Sequence, residues 1–176
     1  DIEVVCYWKK QITRGSVASG VRNYIPLLYN QTVKSILDKT VDAPGHPRFE
    51  IKTSSYLHKY TKASFIQDTP DAVYQYRLIH TPKKTVYASK PHLYQEGYKV
   101  FISTTDKYSV FVDNCGMTQS IVFILCESEA EARGIAQQLM HPLYVFLNNI
   151  CRWGNFNNIR ILQSFPKPMG TPTDLY

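Results

Sequence analysis

The chain lacks any apolar stretch long enough to cross a bilayer. Its longest, Ile121 to Cys126, has six residues, where a spanning helix needs ~20. No signal-peptide pattern is present either. Cysteine is sparse and scattered: Cys6, Cys115, Cys126 and Cys151 stand far apart, with no CxxC and no Cys/His cluster. Four reduced thiols in a cytoplasmic protein are therefore expected, rather than a disulfide framework, and the five dispersed histidines predict no metal site. Acid is also short. Fourteen Asp and Glu face twenty Lys and Arg, for a net charge of +6 and a pI near 9.1. That balance suits a polyanionic partner. There is no internal repeat and no initiator Met, and a strand pattern begins at Ile2. The sequence is expected to be a piece of a longer polypeptide.

What is present describes a mixed fold. At 176 residues the chain can bury a real core as one domain, residues 1–176. The turn cluster Pro44, Gly45, Pro47 sets off a weaker N-terminal part, 1–47, from a core of 48–168. Aromatic content is 13%, mostly Tyr, which favours strands. Ile2–Trp8 reads as a strand and Lys9–Gly20 as a loop; Val21–Leu28 reads as an edge strand broken by Pro26. Thr32–Thr40 has helical spacing. Strands are expected at 49–53, 63–66, 74–80, 85–88, 99–104, 109–113 and 117–126. Ser128 and Glu131 form a capping box, the carboxylate returning to the Ser128 amide. The helix it opens buries Ala132, Ile135, Ala136 and Leu139. Pro142 suits the first turn of a second helix, with Leu143, Phe146, Leu147 and Ile150 as its apolar face. The predicted class is α+β: a mixed, mostly antiparallel sheet with a C-terminal helical pair.

Chemistry-bearing residues concentrate in two places. Arg152, Trp153, Asn155, Asn157 and Asn158 surround Gly154 just after the second helix. Arg forks onto guanine and Asn onto adenine in a major groove, each good pair discriminating by ~1–3 kcal/mol. The same residues also suit plain architecture: Trp153 and Phe156 packing inward, Gly154 ending the helix, the asparagines capping the next element. Lysines interleave with tyrosines through the middle third: Lys52, Lys59, Lys62, Lys83, Lys84 and Lys90. One such lysine is usually only solvated, whereas a run of this density is what phosphate contacts require. Thr118 and Gln119, after Gly116, and Arg14 with Lys10 in the first loop complete the candidate DNA-contacting set.

One order of motifs carries a resemblance. A Lys-Val-Phe-Ile strand (99–102), a Gly-Met-Thr-Gln turn (116–119), a Ser-Glu-Ala-Glu cap, an Ile-Cys-Arg-Trp-Gly-Asn-Phe-Asn segment (150–157) and a Ser-Phe-Pro close succeed one another. The region from Tyr74 to Pro168 resembles the C-terminal specificity region of adenine-specific DNA methyltransferases of prokaryotic restriction-modification systems. The resemblance implies a target recognition domain that selects a double-stranded DNA sequence. It also implies a methyltransferase catalytic domain elsewhere in the same chain, using S-adenosylmethionine. Such catalytic domains carry an Asn-Pro-Pro-Tyr type motif and a Gly-rich loop; this sequence has no Pro-Pro pair and no G-x-G. No cofactor is expected on this piece and no methylation by it alone.

Two other readings stay open. Glu50-Ile51-Lys52 with Pro70-Asp71 has the ingredients of a metal-dependent restriction nuclease, though in reversed order. A protein-interaction module would bind no DNA at all.

Overall fold

The first two strands are joined by a turn without glycine. In a computed structural model, described over residues 2–17, 24–56, 64–105, 107–152 and 154–168, β1 (Ile2–Trp8) pairs antiparallel with β2 (Gln11–Val17). The closing pair is Trp8–Gln11, so the loop is Lys9 and Lys10 alone, with φ of 44° and 68°. Two positive φ values make this the mirror-image turn that matches strand twist and favours Asn-Gly. For lysine each left-handed residue costs about 1–2 kcal/mol. The expected loop over 9–20 is thus corrected: residues 9–10 are the turn, 11–17 are a strand, and 18–20 lie outside the described residues. Val21–Leu28 is corrected as well, because residues 24–28 form no strand and 21–23 lie outside the described residues.

Contacts group the chain into two units, residues 1–49 with 142–176, and residues 50–141. In the first unit, α1 (Gln31–Lys39) starts where Asn30 Oδ1 accepts from the Val33 amide at 2.9 Å, and it buries Val33 and Leu37. Arg48 fixes the turn after α1. Its guanidinium donates to the carbonyls of Thr40, Val41, Ala43 and Ser164 at 2.6 to 3.3 Å. α3 (Pro142–Cys151) begins on Pro142, whose missing N–H is harmless in a first turn. It buries Tyr144, Leu147, Asn148, Ile150 and Cys151, while Leu143 and Phe146 are half-buried. The inward face is therefore rotated from the one expected. Tyr144 packs edge-on to Phe49 and donates to the Pro166 carbonyl at 2.6 Å. A short α4 (Ile159–Leu162) is capped by Asn158.

The second unit holds two four-stranded sheets. In the first, β3 (Lys52–Thr53), β10 (Ile121–Leu125), β7 (Lys99–Ser103) and β8 (Val110–Asp113) are all antiparallel. β7 is buried along its whole length, and β10 along all but Leu125, which explains their continuous rather than alternating apolar pattern. Phe101 and Phe123 stand opposite each other, each fully buried and contributing about 1.5–3 kcal/mol. The second sheet orders β4 (Ile66–Gln67), β6 (Lys84–Ala88), β5 (Tyr76–Thr81) and β9 (Gly116–Met117), with β9 parallel to β5. The single strand expected over 117–126 is thus two strands in different sheets. Ile79, Phe101, Met117, Ile121 and Phe123 join in one cluster; Ile66, Leu78, Val86 and Ala88 form another.

α2 (Glu129–Leu139) packs on β7 and β8. Ser128 Oγ accepts from the Glu131 amide at 3.1 Å, as expected, but the Glu131 carboxylate takes the amide of Glu127, not of Ser128, at 2.7 Å. The class is α+β with mostly antiparallel sheets and helices toward the C-terminus. Among the described residues no helix is long and apolar enough to cross a membrane, and all four cysteines are buried and unbridged.

Candidate nucleic-acid interface

The candidate residues divide between the two units. Arg14, Arg152, Asn155, Asn157 and Asn158 belong to the first; Lys52, Lys83, Lys84, Lys90, Thr118 and Gln119 belong to the second. Lys59, Lys62 and Trp153 lie outside the described residues, as does the tail 169–176.

In the segment after α3, Gly154 has φ 57°, which ends the helix in the left-handed conformation a glycine allows. That turn throws Asn155 and Phe156 outward, Phe156 being 64% exposed. Asn157 turns inward instead. It is buried, with its Oδ1 accepting from Asn148 Nδ2. Asn158 Oδ1 accepts from the Arg160 amide at 3.1 Å, capping α4. The expected trio of base-reading asparagines is corrected in this fold: one is exposed, one is a cap and one is a core residue. Arg152 is half-buried.

The lysines are held in different ways. Lys52 pairs with Glu50 at 2.7 Å, and that hydrogen bond raises its pKa above the usual 10.5. Lys84 lies 3.4 Å from Asp68. Lys90 sits over the Phe65 ring at 4.6 Å, at the outer end of an aromatic ladder running Phe65, Tyr56, His92, Tyr94, Phe123. Lys83 is exposed in the β5–β6 turn. It borders a cleft of about 510 Å³ lined by Thr81, Pro82, Lys83, Thr105, Lys107, Tyr108 and Ser109. Lys107 was not visible as a site residue in the sequence, because only the sheet topology brings the β7–β8 loop beside the β5–β6 turn. The cleft thus combines two ammonium groups with four hydroxyl-bearing residues, a donor-rich lining suited to phosphate oxygens. The Tyr108 hydroxyl is already given to the Leu139 carbonyl at 2.7 Å.

Thr118 is fully buried. Its amide donates to Ile79, its hydroxyl lies 2.9 Å from His80 Nδ1 and accepts from the Ser120 amide. This corrects the expectation of a direct contact, since the residue shapes the turn and offers a ligand nothing. Gln119 is exposed, on a turn pinned by its amide to the Tyr56 carbonyl at 2.7 Å.

The catalytic ingredients are committed to structure. Asp71 accepts from the amides of Tyr74 and Val73 and from Gln67 Nε2 at 2.7 to 2.8 Å, which hold its pKa below 3.8. Its carboxylate closes a turn, while Glu50 is paired with Lys52. Ser54 Oγ lies 2.8 Å from His92 Nε2, a spacing seen in nucleophile–base pairs. The Tyr94 amide, however, donates to His92 Nδ1 at 2.9 Å. The ring proton therefore resides on Nε2 and is donated to Ser54, the reverse of what activation requires. Cys115 is buried beside Asp113, its pKa pushed up to about 12 chiefly by burial, so it remains a thiol. Nearby, Arg77 pairs with Asp113 at 2.5 Å. Lys99 is fully buried and donates to the carbonyls of Glu96 and Gly97.

Compared with family models, curated proteins and solved structures, the chain matches none.

Proposed function

We propose that this chain binds double-stranded DNA sequence-specifically, as the target recognition part of a restriction-modification adenine methyltransferase acting in the cytoplasm. S-adenosylmethionine and the methyl-transfer chemistry would belong to a catalytic domain of the same parent polypeptide. The observation that carries the reading is the cleft bordered by Lys83 and Lys107 and lined by hydroxyls. Two ammonium groups on loops of different sheets suit a phosphodiester strand, each neutralised phosphate releasing condensed counterions. Exposed polar groups such as Gln119 and Asn155 are then available for base edges, which is where sequence is read.

Anisotropy titration of a labelled mixed-sequence duplex at two salt concentrations tests this. Affinity should fall steeply with salt. Lys83→Ala combined with Lys107→Ala should make the slope of log K against log salt shallower by about two. A chain that ignores DNA at low salt is not a DNA reader and falls to the protein-interaction alternative. Divalent-metal-dependent cutting of plasmid by the same preparation would instead favour a nuclease.

A further inference from the structure

The basic excess of the chain is not evenly spread. Ten of the twenty Lys and Arg, but only five of the fourteen Asp and Glu, fall in the first unit, so it carries +5 and the second +1. Two of those positive charges, Lys9 and Lys10, occupy the left-handed tip of the β1–β2 ribbon. A turn that would favour Asn-Gly is built instead from two lysines, and strained backbone of this kind persists where it serves a function. Beyond the tip, one face of the ribbon presents Tyr7 opposite Ile12 and Val5 opposite Arg14. Tyr7 is 74% exposed and Ile12 58%. The Arg14–Glu3 pair on this face is wide open to solvent, and such pairs are readily exchanged for other partners.

We infer that this ribbon enters the major groove of duplex DNA, Lys9 and Lys10 meeting phosphates and the face of Tyr7, Ile12 and Arg14 turned to base edges. A B-form major groove, about 12 Å wide, admits a two-stranded ribbon. The inference rests on the duplex-binding reading and adds a second, independent element to it.

The test replaces the tip by the pair the turn prefers, Lys9→Asn with Lys10→Gly, in the full chain. Because the new turn is relaxed, the variant should unfold at a higher urea concentration, so weaker binding cannot be blamed on misfolding. On mixed-sequence DNA its affinity should drop and its salt slope become shallower by about two. An equal charge loss on α1, Lys34→Gln with Lys39→Gln, should leave the slope unchanged. Double-stranded RNA of matching sequence, whose major groove is too narrow for a ribbon, should bind more weakly and respond little to the tip change. Unaltered DNA affinity in the tip variant, an equal loss in the α1 variant, or RNA binding as tight as DNA each overturns the ribbon assignment while leaving DNA binding intact. Absence of any DNA binding by the unsubstituted chain overturns both.

Discussion

Asn148 on α3 donates its side-chain amide to Oδ1 of Asn157 at 3.0 Å, with the two residues 1% and 4% exposed. The pair ties the segment after Gly154 back to the helix it has just left. Asn157→Ala removes the short bond and leaves the buried Asn148 amide only a long one, 3.5 Å to Asn149 Oδ1, and should cost about 1–3 kcal/mol in urea unfolding. Asn155→Ala, on the exposed side of the same turn, should stay within about 0.5 kcal/mol and act on DNA preference instead. Were Asn157→Ala to leave stability unchanged yet flatten sequence preference, Asn157 would have to be turned outward in solution.

The ribbon has a seat, and Gly15 is where it touches. A Cβ on Gly15 would collide with Cδ1 and Cε1 of Tyr29, a ring only 2% exposed. Tyr29 also donates its hydroxyl to the Ser16 carbonyl at 3.3 Å and its amide to Thr13 Oγ1 at 3.4 Å. Gly15→Ala should therefore destabilise the chain by about 1–3 kcal/mol through overpacking. Ser16→Ala, which keeps the backbone carbonyl, should be near neutral. Equal effects of the two on the unfolding midpoint would show that the Tyr29 contact does not hold the ribbon.

These residues mark where the sequence could be read and where it could not. Helices announced themselves through spacing and, for two of them, their starts: α1 showed only its apolar spacing, whereas α2 and α3 were signalled by Ser128 and Pro142, and the Asn30 cap of α1 came to light only in the structure. β2 stayed hidden because Lys9-Lys10 is not a turn pair that sequence advertises, and because Thr13, Arg14 and Gly15 carry no apolar alternation. β9 and β10 looked like one strand because both are apolar; the Gly-Met-Thr-Gln segment (116–119) marked a turn, but nothing local told that the chain changes sheets there. Burial of Thr118 and Asn157 is likewise a tertiary fact, since a polar side chain satisfied by a distant partner looks the same in sequence as one facing solvent. Lys107 entered the candidate interface only when the topology set two loops side by side.

Asp71 separates a structural carboxylate from a catalytic one. Asp71→Asn retains an oxygen for the Tyr74 and Val73 amides, whereas Asp71→Ala removes it. The alanine variant should unfold at a lower urea concentration and the asparagine variant at one nearer the wild type, with duplex affinity unchanged in both and indifferent to added magnesium. Magnesium-dependent DNA cleavage abolished by Asp71→Asn would overturn this assignment.

His92 should give the fold a pH response just below neutrality. Burial, followed by the positive charge of Lys99, holds its imidazole below the ordinary 6.5. As pH falls through about 6.5, the unfolded chain takes up a proton that the folded chain refuses. Stability is therefore lost on acidification and recovered as pH rises. Carboxylates act lower down. Although burial opposes it, the hydrogen bond from Arg77 brings Asp113 below 3.8, and Asp71 also lies below that value. Their contributions disappear only below about pH 4. Urea midpoints should fall between about pH 7.5 and 5.5, and His92→Gln, although less stable overall, should flatten that decline. Protonation of the folded ring would also have to break the Tyr94 amide bond to Nδ1, so the Tyr94 amide resonance should hold through this window and shift only at lower pH, where the folded ring titrates. A variant whose midpoint declines with pH as steeply as the wild type would place the titrating group elsewhere.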